Sequence, residues 1–179
     1  MSKTEENLKA ALAGESEARA KYKKWAGAAN KEGHQAIAKI FEETAENEYE
    51  HSAMIMKLLG MVGDTEANLK KAIAGETYEW TKMYPEFAKV ARKEGNKAAA
   101  EFFEHVISIE HHHAKRYQLL LDRLKDGSLY ESDEEEVWFC TNCGYMHRGK
   151  EAPETCPNCK HPRGYFKRIC DLDYDGFEL

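Results

Sequence analysis

Glu48 and His51 put a carboxylate and an imidazole three residues apart, which in a helix places both on one face. Ile37, Phe41, Thr44, Ala45, Ile55, Leu58 and Leu59 recur around them at helical spacing, so the pair lies on the apolar stripe. A bare carboxylate in a helix-bundle core costs several kcal/mol, so a carboxylate placed there is paired, protonated or metal-bound. One such pair says little, because in a chain with 32 Asp and Glu an E-x-x-H is usually a solvated helix face.

An internal repeat changes the weight of that pair. Asn7-Leu-Lys-Ala-Ala-Leu-Ala-Gly-Glu15 returns as Asn68-Leu-Lys-Lys-Ala-Ile-Ala-Gly-Glu76, an offset of 61. Glu32-Gly33 returns as Glu94-Gly95 and Glu48-x-x-His51 as Glu110-x-x-His113, both at an offset of 62. Each half thus carries a lone Glu on its first helix and an E-x-x-H on its second, all on apolar stripes. Glu15 falls among Leu8, Leu12, Ala18 and Tyr22; Glu76 among Leu69, Ile73 and Met83; Glu110 and His113 among Phe103, Val106 and Tyr117. A second cluster follows, Cys140-x-x-Cys143 and Cys156-x-x-Cys159, whose spacing suits a tetrahedral tetrathiolate. Spacing alone leaves its ion open between iron and zinc, and a structural zinc ribbon has the same signature.

The elements that must hold these groups are four long helices. The first starts near Ser2 or Thr4 and stops before Gly33; the second runs from about His34 to Leu59. Gly60–Thr65 is a short turn. The third helix reaches about Lys93, with a kink expected at Pro85, and the fourth spans about Asn96 to Asp126. Glu15 and Glu48 lie about equally far from the turn between their helices, and the second half behaves alike, so antiparallel neighbours bring all four carboxylates to one height. Residues 128–136 read as an acidic linker, and 137–179 as the cysteine-bearing domain. The fold class is therefore mainly α with a small β/knuckle domain.

Composition bounds the rest. A net charge of −6 argues against nucleic acid or an anionic membrane as partner, and no apolar run approaches a membrane span. No signal-like segment opens the chain, and the five cysteines favour metal over disulfides, so a reducing cytoplasm is expected. His34, His105, His147 and His161 lack partners at ligand spacing. His111 and His112 point off the Glu110 face and are expected to be exposed, Trp25, Trp80, Phe87 and Phe102 to be core, and Cys170 to be an apolar filler.

With both halves in view, the chain resembles the rubrerythrin family over nearly its whole length. The motifs carrying the resemblance are Gly14-Glu15-Ser16-x-Ala18-Arg19, Glu48-x-x-His51, Gly75-Glu76-x-x-Glu79, Met83-Tyr84-Pro85, Glu110-x-x-His113 and Cys140-x-x-Cys143-Gly-Tyr with Cys156-Pro-x-Cys159. The resemblance implies a ferritin-like four-helix bundle over residues 1–127, holding an oxo- or carboxylate-bridged di-iron centre, and a rubredoxin-like domain holding an Fe(SCys)4 site. It implies a peroxidase that reduces hydrogen peroxide to water in oxidative stress defence. Electrons would come from a rubredoxin or an NAD(P)H-linked flavoprotein. Glu48 and Glu110 would bridge the irons, Glu15 would be terminal on the first, and Glu76 and His113 on the second. The first iron would move between His51 when reduced and Glu79 when oxidised, which makes His51 and Glu79 the catalytic ligands. Glu79 has no counterpart in the first half, where Ala18 stands.

Charge supports that exchange. Glu15, Glu48, Glu76 and Glu110 neutralise a diferrous pair, and a diferric pair calls for a further carboxylate, which the harder ion also prefers to imidazole. Tyr22 and Tyr84 are candidates to support the ligands. Two competing functions are a ferritin-type ferroxidase using O2 and a zinc-ribbon binding protein on a helical scaffold. The short segment 60–65 also points to a homodimer in which helix pairs are swapped between chains, as some rubrerythrin-like proteins are.

Overall fold

Three interhelical turns close in the same way. Gly33, Gly60 and Gly95 take left-handed backbone conformations, with φ of 85°, 62° and 77°. The next residue's N–H then reaches back five residues: His34 to the Ala29 carbonyl at 2.8 Å, Met61 to Met56 at 2.9 Å, Asn96 to Ala91 at 2.9 Å. This Schellman closure satisfies carbonyls that the helix end would orphan, and glycine adopts it without a Cβ penalty. In this computed structural model, which describes residues 2–169, these turns end α1 (Lys3–Lys31), α2 (Gln35–Leu58) and α4 (Tyr84–Lys93). Cys170 lies outside the described residues.

The chain divides into two compact units at Asp64/Thr65. In the first, α1 packs on α2 along a seam of small residues, with Ala26, Ala29, Ala38, Ala45 and Ser52 buried. Tyr22, Trp25 and Phe41 cluster at its margin with ring centroids 5.5–6.1 Å apart. In the second, α3 (Thr65–Tyr78) and α4 pack on α5 (Lys97–Asp126). Tyr84, Phe87 and Phe103 form the matching cluster, 5.6–6.3 Å apart. A pair of helices has one buried seam, so rings at its margin stay open. Trp25, Phe87 and Phe102 are 47%, 44% and 58% exposed, against the expectation that they are core.

The expected kink at Pro85 takes a different form. Glu79–Met83 is a π turn between α3 and α4, in which the Tyr84 N–H reaches the Glu79 carbonyl five residues back. Pro85 has no N–H, so in an α register the Thr81 carbonyl would face a ring instead of a donor. The Thr81 hydroxyl turns back to the Thr77 carbonyl.

The second unit continues into a three-stranded antiparallel sheet, β2-β1-β3, built from β1 (Glu131–Cys140), β2 (Met146–Glu151) and β3 (Phe166–Arg168). Trp138, Cys140, Ala152, Cys156 and Phe166 form its core. Residues 128–136 are therefore not a free linker. Ser128–Tyr130 is a 3-10 turn, and Glu131 opens β1 opposite Glu151 with a bulge before Glu136. Their acidity concealed an anchor on another strand. The buried Arg168 guanidinium donates to the carbonyls of Ser128 (2.8 Å) and Glu131 and lies 5.1 Å from the Trp138 ring. Among the described residues no helix is long and apolar enough to cross a membrane.

Replacing Arg168 with Met keeps the stem but leaves two carbonyls without their donor. Arg168→Met is expected to lower stability by roughly 2–4 kcal/mol, read as an earlier urea midpoint for the near-ultraviolet signal of Trp138.

Candidate metal centres

Two sets of side chains, one in each unit, repeat the same geometry. In the first, α1 supplies Glu15 and α2 supplies Glu48 and His51; in the second, α3 supplies Glu76 and α5 supplies Glu110 and His113. His51 Nδ1 lies 2.8 Å from Glu48 Oε2 and 3.7 Å from Glu15 Oε2. His113 Nδ1 lies 2.6 Å from Glu110 Oε2 and 3.6 Å from Glu76 Oε2. Within each set one ligand atom per residue falls within 4.8 Å of the others. The carboxylates at the E-x-x-H positions are the more sheltered, 15% and 14% exposed at Glu48 and Glu110.

The electrostatics of both sets favour a cation. A hydrogen bond shared with Glu48 holds Glu15 above the ordinary carboxylate range, with burial adding to it and His51 opposing it. Burial does the same to Glu76, helped by the hydrogen bond with Glu110 and the charge of Glu79. Carboxylates this close share a proton or a metal ion. Two carboxylates and one neutral imidazole per set match a divalent ion in charge, and iron accepts both donor types.

Glu79 is half-buried at the start of the π turn, outside the Glu76/Glu110/His113 set but within electrostatic reach of Glu76 and Tyr84. Burial, then the charges of Glu79, Glu110 and Glu76, raise the proton affinity of the Tyr84 phenol. His111 and His112 are half-buried rather than exposed. The His111 ring sits 4.4 Å from Trp80, and burial lowers the His112 pKa. In the other unit the Arg19 guanidinium lies 4.5 Å over Tyr49, the positions that the repeat pairs with Trp80 and His111. Only the repeat offsets, read residue by residue, signal these flanking contacts.

The four cysteines meet on the two turns that flank the sheet. Cys140 and Cys159 sulfurs are 3.7 Å apart, as are those of Cys143 and Cys156. That is far beyond a disulfide bond of about 2.05 Å. It matches the edge of about 3.8 Å of a sulfur tetrahedron drawn about 2.3 Å from a metal. Both knuckles place their fifth residue in the left-handed region, Gly144 at φ 77° and Lys160 at φ 63°. Burial pushes the Cys140 thiol up to about 11, whereas the His161 N–H holds Cys159 at about 5. The Asn158 side chain and the Tyr145 N–H lower Cys143. Backbone donors aimed at the sulfurs thus favour thiolates, the form that binds metal.

Comparison with known proteins assigns both regions. Residues 6–121 match the rubrerythrin family model, and residues 138–167 match that of the rubrerythrin rubredoxin-like domain. The chain is 44% identical to a rubrerythrin of Porphyromonas gingivalis, over 93% of this chain and 90% of that protein. It is 42% identical to rubrerythrin-1 of Clostridium acetobutylicum, over 94% and 95%. A solved structure of nigerythrin in a partially reduced state is 34% identical, covering 94% of this chain and 87% of that one, with a TM-score of 0.37. These matches make the four-cysteine cluster a rubredoxin-like iron site and the two Glu/Glu/His sets the candidate di-iron ligands.

The raised pKa values carry a sign. In the metal-free protein, Glu15 and Glu76 hold protons more tightly folded than unfolded, where they titrate near 4.5. Their contribution is full below that value and is lost as pH rises through the shifted ones. Between about pH 5 and about pH 7.5 the metal-free protein should lose stability relative to a Glu15→Gln/Glu76→Gln variant. Urea midpoints at the two pH values check this, and the difference should vanish once iron is bound.

Proposed function

The chain belongs to the rubrerythrin family, and from that premise we propose that it is a di-iron peroxidase. It reduces hydrogen peroxide to water with electrons passed through its four-cysteine iron site. The carrying observation is the joint presence, in one chain, of two repeat-related Glu/Glu/His sets and a sulfur tetrahedron of metal-binding size. Bound iron supplies the redox chemistry, a diferrous pair holding both electrons that O–O cleavage requires. Glu48 and Glu110, the sheltered carboxylates of the two sets, would be the ligands shared between the irons, and Glu15, Glu76 and His113 would each hold one. His51, the more open imidazole, and Glu79 would be the alternative ligands of the reduced and oxidised states. Tyr84, kept protonated by burial and by the surrounding carboxylates, is a hydroxyl donor beside Glu79. Residues 1–127 then form the di-iron domain, and the cysteine domain takes in 128–136 through β1 and the Arg168 anchor, with one matched segment falling in each.

Reduced, iron-loaded protein should consume peroxide faster than O2; the reverse order would identify a ferroxidase. Glu79→Ala should still bind Fe(II), because His51 remains, while its oxidised spectrum changes and peroxide turnover falls at least about tenfold. Full turnover with an unchanged oxidised spectrum would remove Glu79 from the mechanism.

The reading includes a homodimer in which each di-iron site joins the Glu15/Glu48/His51 unit of one chain to the Glu76/Glu79/Glu110/His113 unit of another. Ferritin-like bundles connect their two helix pairs by a long crossover. Here α2 continues about 15 Å past Glu48 to Leu58 and α3 climbs about 17 Å from Thr65 to Glu76, at 1.5 Å per residue. A return path of about 32 Å exceeds the roughly 24 Å that the chain between Leu58 and Thr65 can span. Ile37, Ile40, Met54 and Leu58 of α2 are exposed. A cavity of about 480 Å3 on the second unit, lined by Phe87, Val90 and Phe103, is apolar enough to receive such a face. Mixing Glu15→Ala chains with Glu110→Ala chains tests the exchange. Swapped heterodimers hold one doubly defective and one intact site, so activity returns in part; heterodimers without activity would place all ligands in one chain.

A further inference from the structure

The two cysteine turns are near copies of each other, so what differs between them can be isolated. Cys140-Thr-Asn-Cys143-Gly-Tyr145 and Cys156-Pro-Asn-Cys159-Lys-His161 match position by position. In each, the fifth residue's N–H returns to the first cysteine's carbonyl, Gly144 to Cys140 at 2.9 Å and Lys160 to Cys156 at 3.0 Å. In each, the sixth residue's N–H faces the second cysteine's sulfur, Tyr145 toward Cys143 and His161 toward Cys159. The asparagine side chains cross reciprocally between the turns, Asn158 to Cys143 and Asn142 to Cys159. Two positions break the match. Threonine stands against proline at the second, and glycine against lysine at the fifth.

Both differences bear on Lys160. Its φ of 63° lies in the left-handed region, which Gly144 occupies without steric cost and a residue with a Cβ does not. A side chain kept at a costly backbone position beside a site calls for a use. The second position shows part of it. Thr141 ties the first turn to the chain beyond, its N–H and hydroxyl donating to the Tyr165 carbonyl at 2.8 and 2.9 Å. Pro157 has no N–H to offer. The Lys160 ammonium instead donates to the Pro157 carbonyl at 2.8 Å, folding an exposed side chain back over its own turn. A lysine extended into water would have its charge screened. This one is held against the turn that carries Cys156 and Cys159.

We propose that Lys160 sets the reduction potential of the four-cysteine iron site, its tethered ammonium stabilising the reduced form. Four thiolates leave the site with one negative charge around ferric iron and two around ferrous iron. A fixed cation beside it therefore stabilises the ferrous state more than the ferric and raises the potential. The first turn, with Gly144 at the matching position, brings no such charge. The inference rests on the proposed relay of electrons through this site.

Redox titration of the full-length, iron-loaded protein, followed by the visible absorption of the ferric tetrathiolate, tests the role. Lys160→Gly folds on the pattern of the first turn and removes both charge and tether. Lys160→Gln keeps a donor for the Pro157 carbonyl but no charge, and Lys160→Arg keeps both. Lys160→Gly and Lys160→Gln should each favour the oxidised form at least about threefold over the parent, a fall of about 28 mV for one electron. Lys160→Arg should stay within about 1.5-fold of the parent, because its guanidinium remains charged. The gap between the parent and Lys160→Gln should narrow from about 0.02 M to about 1 M salt. An unchanged midpoint in Lys160→Gly would overturn the proposal. So would a parental midpoint in Lys160→Gln, which would reduce the bond to Pro157 to a structural tether. A fall in Lys160→Arg as large as in Lys160→Gly would overturn it too, by removing charge as the cause. The midpoint is read without peroxide. A protein inert toward peroxide whose midpoint shifts as expected would refute the peroxidase reading and leave the role of Lys160 standing.

Discussion

Like charge on neighbouring helices is the constraint on which the helical part depends. Glu15 faces Glu48 and Glu76 faces Glu110 closely enough to share a proton when no metal is bound. Helices that bring carboxylates so near must be held together by something else. In the first unit that is a seam of alanines, which lets α1 and α2 approach closely, with the aromatic cluster beyond it. The imidazoles of His51 and His113 relieve part of the repulsion from within each set. A divalent cation relieves the rest, so the same feature that weakens the metal-free fold makes the site selective for a metal over an empty state.

The sulfur site meets the opposite demand. Its sulfurs must be thiolates to bind metal, so the knuckles surround them with donors. The Cys140 and Cys156 carbonyls accept the N–H of Gly144 and Lys160, which bends each turn so that following amides face the sulfurs. The left-handed residue that the bend needs is glycine in one knuckle and lysine in the other, and Lys160 offsets part of that cost through a bond from its ammonium to the Pro157 carbonyl at 2.8 Å.

How much of this was legible in the sequence depended on whether a signal repeated. The candidate ligand sets were readable because Glu15, Glu48 and His51 have partners at fixed offsets, and a repeat is not expected of a merely solvated face. The cysteines were readable from spacing, although their ion was fixed only by comparison with relatives. Residues 128–136 misled because their acidity resembles a linker, while the residue that pins them, Arg168, is some forty positions away. Rings such as Phe102 were placed in the core by periodicity, which reports that a face is apolar but not what covers it. The π turn was half visible: Pro85 announced a break, but only the change of offset from 61 to 62 showed that a residue had been added.

Dividing the candidate ligands between two helical units would also tie metal to assembly. Each unit alone offers two carboxylates and an imidazole, too few donors to enclose an ion that prefers a fuller oxygen-rich shell. Under the proposed function, an ion that drew on both sets would bind only the assembled form and so stabilise assembly by mass action. Without metal, the repulsion of Glu15 from Glu48 and of Glu76 from Glu110 acts within each unit, against the ring contacts that hold that unit's own helices together. The rings cluster about two turns or more from the carboxylates, so the apolar contact that holds each pair of helices leaves the candidate ligands uncrowded.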